Sequence, residues 1–133
     1  MNERGQTTVL VLGMALLAFA VAGLAVDGTR AWLYRRTLQN AADAAALAGA
    51  GELDRPTYYA TGEVVLDEVA SERTALRWLS ARAMEARAAV DSTSDRVTVE
   101  MRGAVATTFL SLAGIDDIQV AVRADAAPIP GTP

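Results

Sequence analysis

Few residues in this chain are of a type and spacing to do chemistry, and the sharpest is Asp27, a carboxylate at the end of a long uncharged run with Arg30 one helical turn on. A carboxylate at that depth is expensive unless it lies near a membrane interface, is paired, or faces another protein helix. Two readings follow: an interfacial Asp27–Arg30 pair at i, i+3, or a packing and register contact inside a helical assembly. Asp116 and Asp117 are adjacent, so on a strand they point to opposite sides, and their place after Gly114 suits a turn. There is no His and no Cys, which excludes imidazole bases, thiol nucleophiles, disulfides and the usual zinc ligand sets. The serines and threonines therefore have no base to activate them. The chain reads as non-enzymatic, with no catalytic residue, cofactor, metal site or small-molecule substrate.

The element that positions Asp27 is the apolar run itself, Val9 to Val26. A hydrocarbon core about 30 Å thick needs roughly 20 apolar residues as helix, so the run is of spanning length. The remaining chain could not wrap a helix that is apolar on every face, which argues against a buried core helix. A cleaved secretory signal is the other reading, with Arg4 as n-region, Val9 to Leu17 as h-region and Ala18-Phe19-Ala20 as the small-x-small site, but the run continues past that site.

Beyond it, Ala31, Tyr34, Leu38, Ala41, Ala45 and Ala48 recur at spacings of three and four, a heptad stripe on one face of a continuing helix. Ala41, Ala45 and Gly49 form small-xxx-small ridges that let another helix approach closely, although alanine's helix propensity gives the same composition without a partner. From Thr7 to Ala50 such a helix is about 65 Å long, so about half of it projects beyond the hydrocarbon.

The net charge of −4, with every basic residue an Arg, offers no basic patch for nucleic acid and no polybasic membrane signal. Counted alone, Arg4 and the α-amine before the run against Arg30, Arg35 and Arg36 after it favour an N-terminus outside the cell.

After Gly51 the composition becomes that of a soluble protein. Pro56 disfavours a helical Arg55, which puts a hinge at 52–62. Leu66, Val69, Leu76, Leu79, Ala83, Ala86 and Val90 then predict an amphipathic helix from Glu63 to Val90, followed by a turn over Asp91–Asp95. Val97, Val99 and Met101 alternate with polar residues, as do Ile118, Val120 and Val122, which predicts two half-buried strands, parallel or antiparallel. Ala106 to Ala113, with Gly114 as C-cap, predicts a short helix between them. The expected fold class is α+β: an anchor and extended helix at 1–51, the hinge, a small two-stranded α+β layer at 63–126 completed by neighbours, and a disordered tail at 127–133.

The residues Arg4-Gly5-Gln6, the apolar run, Gly23-Leu24-Ala25-Val26-Asp27, Arg30, Arg36 and the block from Leu38 to Ala50 (LQNAADAAALAGA) resemble the N-terminal region of TadE/TadG-like proteins of the tight-adherence (Flp) pilus system. The resemblance implies a bacterial protein of the cytoplasmic membrane, single-pass, with its C-terminal domain on the extracytoplasmic side, contrary to the Arg count. It implies a minor or pseudopilin-like structural component of Flp pilus assembly, whose partners are the membrane and other Tad/Flp components met through Asp27, Ala41, Ala45 and Gly49. Larger relatives carry a von Willebrand type A domain with an Asp-x-Ser-x-Ser metal motif. Asp91, Thr93 and Asp95 hold that spacing without either Ser, so no metal site carries over.

Pilin-type precursors are cut after a Gly before the apolar helix, as Gly5 is placed, with Gln6 as the new N-terminus. The Glu that pilins usually carry at the fifth mature position is here Leu10. The alternatives are a single-pass envelope protein that binds or regulates another membrane complex, and a small binding domain released by signal cleavage.

Overall fold

The computed structural model describes residues 3–82 and 84–129. Helix α1 (Glu3–Gly49) is followed by α2 (Arg55–Thr61), α3 (Glu68–Ser80) and the strands β1 (Arg87–Ser92), β2 (Val97–Ala106) and β3 (Asp117–Ala126), with a 3₁₀ turn at Leu110–Ala113. Two compact units result, one of Met1–Leu33 with Val105–Ile118, the other of Tyr34–Ala104 with Gln119–Pro133.

The first unit is the apolar part of α1 and the tip of the β2–β3 hairpin. Gly5–Gly49 is a helix long and apolar enough to cross a membrane. Its large apolar side chains from Val9 to Leu24 are exposed, as expected of a helix whose covering is lipid rather than protein.

The second unit is a three-stranded antiparallel sheet in the order β1-β2-β3, with the rest of α1 and α3. Val90 lies opposite Val99 and Ala88 opposite Met101. On the other side Thr98 bonds Asp125 and Glu100 pairs with Arg123, a register that puts Val99 beside Ala124 and Met101 beside Val122. Val97, Val99, Met101, Val120, Val122 and Ala124 are all buried on one face, as period two requires.

Leu38, Ala41, Ala42, Ala45 and Ala46 of α1 are buried with them. Tyr34 meets Gly103 at one end of this stretch and Gly49 meets Val97 at the other, so α1 runs antiparallel to β2. Small side chains on the helix let its backbone lie close to the valines. The buried Ser71 hydroxyl of α3 donates to the Gly49 carbonyl at 2.8 Å. That bond satisfies one of the carbonyls left open at the end of α1.

Several expectations are corrected. The predicted helix from Glu63 to Val90 is shortened at both ends to Glu68–Ser80, and its last four residues, with Asp91 and Ser92 of the expected turn, form the edge strand β1, so the sheet has three strands instead of two. The predicted hinge at 52–62 contains α2, because Asp54 accepts from the Thr57 amide as N-cap and Pro56 sits in the first turn, where its missing N–H costs nothing. The connection between the two sequence-predicted strands is an antiparallel return, and its short helix shrinks to the 3₁₀ turn, closed by Gly114 in the left-handed conformation (φ 84°). The expected disordered tail lies outside the described residues from 130 onward.

Candidate functional site at Asp27

Asp27 is 1% exposed, an unusual state for a carboxylate on an apolar helix. One carboxylate oxygen accepts from the Thr108 amide at 2.9 Å, and the other from the Phe109 and Leu110 amides at 2.8 Å each. These three amides open the 3₁₀ turn at Leu110–Ala113, whose first N–H groups have no partner within the turn. Asp27 thus caps that turn from another element, with charge-assisted bonds that a neutral side chain would make more weakly.

Two neighbours complete the site. The Arg30 guanidinium donates to the Thr108 hydroxyl at 2.8 Å, so Asp27 and Arg30, one turn apart, grip the same tip. One turn before Asp27, Gly23 is buried under Phe109: a Cβ built there would lie 2.5 Å from the Phe109 Cβ. Only glycine leaves room for the ring.

What this arrangement does chemically is hold. Three backbone donors converge on one anion, and the charged neighbour, Arg30, is itself bonded to the same tip. Among the described residues no group of three His, Cys, Asp or Glu side chains is placed to bind a metal ion. Asp91 lies in β1, and Thr93 and Asp95 lie in the turn that follows, in which Thr93 bonds Asp95 and the Arg96 carbonyl.

The other residues singled out in the sequence are dispersed. Gly5 and Gln6 lie in the first turn of α1, exposed. Ala41, Ala45 and Gly49 are buried in the second unit, where the chain's own sheet fills the face that the sequence offers to a partner helix.

Thr108, Phe109, Leu110 and Gly23 are not evident as site residues in the sequence. One signal was available for Asp27: it stands four residues before Ala31 and so extends the heptad stripe backward onto a face that packs against protein. Nothing local marks residues 108–110 as its partners, since the bonds join positions more than 80 apart.

Residues 5–52 match the model of a family described as "Putative Flp pilus-assembly TadE/G-like". The match covers nearly all of α1 and includes Gly23, Asp27 and Arg30. No curated protein and no solved structure matches the chain.

Proposed function

We propose, from the TadE/G-like character of the N-terminal region, that the chain is a non-enzymatic structural component of a Tad/Flp-type pilus machine, anchored by α1 in the cytoplasmic membrane. In this reading it is a minor or pseudopilin-like subunit that presents a small α+β unit on the extracytoplasmic side. The observation that carries it is the coincidence of the family match, 5–52, with the helix Glu3–Gly49. Two structural features support it. The exposed apolar run is of spanning length, and Asp27 is spent on a rigid brace rather than on a reacting group. Because Ala41, Ala45 and Gly49 serve inside the second unit, contacts with other Tad components run over the remaining helix surface and the exposed side chains of the α+β unit.

Topology and processing are tested together on protein from native cells. A Ser94→Cys variant, with no competing thiol in the chain, should react with an impermeant reagent on spheroplasts while the protein stays with membranes in high salt. Labelling only after lysis would reverse the orientation in favour of the Arg count. Intact mass of the mature chain should show either the full N-terminus or a start at Gln6. A start at Val21 would remove most of the anchor and overturn the proposal.

A further inference from the structure

We propose that the β2–β3 tip, residues 107–116, is a second membrane-contacting element, a wedge that seats in the interfacial layer of the bilayer beside α1; this rests on the reading of α1 as a membrane anchor. Three observations within the first unit converge on it.

The tip is apolar outward: Leu112 is 87% exposed, Ile115 48% and Phe109 40%. It is fixed against the helix at a definite depth, because Phe109 covers Gly23, inside the uncharged run, and its amide bonds Asp27 at the end of that run. Gly23 lies four residues before Asp27, about 6 Å along the helix axis, which matches the depth to which interfacial segments bury their apolar faces.

The third observation is that most backbone amides and all three hydroxyls of the tip are satisfied within the unit, which leaves the exposed Asp116 carboxylate at its edge for the headgroup side. The Thr107 amide donates to the Asp116 carbonyl, Leu112 to Phe109, Gly114 to Ser111 and Ile115 to Leu110. The amides of Thr108, Phe109 and Leu110 go to Asp27. The Thr107 hydroxyl bonds the Ile115 carbonyl, the Ser111 hydroxyl the Thr108 carbonyl, and the Thr108 hydroxyl accepts from Arg30. A loop in water has no need of such closure, since solvent satisfies its backbone. A loop against lipid does, because non-helical backbone is tolerated at membrane depth only where protein supplies its partners. Asp27 takes on a specific role here: it neutralises three of the donors that would otherwise bar the tip from the bilayer.

The test uses the full chain in vesicles of phosphatidylcholine and phosphatidylglycerol, with both native tryptophans replaced (Trp32→Phe, Trp78→Phe) and one reporter introduced as Leu112→Trp, Leu16→Trp or Ser94→Trp. Brominated lipid should quench the Leu112→Trp reporter strongly, as it does the Leu16→Trp reporter within the run, while aqueous iodide quenches it far less than the Ser94→Trp reporter. Iodide quenching of Leu112→Trp without lipid quenching, with Leu16→Trp still quenched by lipid, overturns the wedge and leaves the anchor standing. Protection of Leu112→Trp from both quenchers overturns the wedge in favour of a second copy of the chain over the tip. Absence of lipid quenching at Leu16→Trp overturns the anchor together with the wedge.

Discussion

Replacing Ala45 with Leu separates a helix face packed within the chain from one offered to a partner. Ala45 is fully buried and lies one turn before Gly49, whose Cα faces Val97 at a spacing that leaves only 3.2 Å to a built Cβ. Three added carbons must displace neighbouring side chains at a fully buried position. Overpacking a closed core costs about 1–3 kcal/mol, and with a urea dependence of about 1–3 kcal/mol per M for a small domain the unfolding midpoint should fall by about 1 M. The assay is urea unfolding of the full chain in detergent micelles, followed through Trp78 on α3 in a Trp32→Phe background so that the signal reports the second unit. Leu47→Ala, at an exposed position on the same helix, should leave the midpoint within experimental error. An unchanged midpoint for Ala45→Leu, with loss of co-purifying pilus components, would refute the packing described here and return the small-residue stripe to a partner helix.

Asp27→Asn keeps the shape of the site but replaces charge-assisted bonds with neutral ones, so hydrogen exchange at the Thr108, Phe109 and Leu110 amides should accelerate by about an order of magnitude while β1 amides are unaffected; equal exchange in both proteins would show that the brace is not formed. A Gly103→Ala Cβ would fall on the Tyr34 hydroxyl, which donates to the Glu85 carbonyl, so Gly103→Ala should destabilise the wild-type chain but not a Tyr34→Ala variant, and additive effects in that double-mutant cycle would exclude the contact. The Arg123 guanidinium and the Thr98 hydroxyl hold the Asp125 carboxyl below its ordinary range. A group whose pKa is lowered by folding stabilises the native state above its unfolded value, about 3.9, and loses that contribution as pH falls through the folded pKa. Acid unfolding of Asp125→Asn should therefore be shallower than that of the parent below about pH 4, and identical acid profiles would dispose of the pairing.

The N-terminal half was legible because its signals are strong and local. An uncharged run of spanning length and an Ala-rich stretch that keeps helical spacing from Ala31 to Ala48 leave little competition for α1. The β2 and β3 strands were legible from clean alternation, Val97-Val99-Met101 and Val120-Val122, and both extend further than the alternation alone implies. The edge strand β1 was not. Its sequence, RAAVDS, has one β-branched residue, and Leu79, Ala83, Ala86 and Val90 continue a helical spacing into it. Pairing with β2 outweighs that local preference, and such tertiary override cannot be read from a window of sequence. Pro56 misled for a different reason: a proline that disfavours helix at the residue before it also suits the first turn of a new helix, and Asp54 two positions earlier was the sign of a start. At the site, the carboxylate was visible and its partners were not, because backbone amides carry no sequence signature.

The central claim, that this chain is an anchored component of a Tad/Flp-type machine, is tested most directly by affinity purification of the C-terminally tagged full chain from crosslinked native membranes, with the co-purifying proteins quantified by mass spectrometry. The account predicts enrichment of Flp pilus assembly components from the membrane fraction, reduced when Asp27→Ala releases the tip from the helix. Recovery of the chain in the soluble fraction, or from membranes with a different complex and no pilus component, would contradict it.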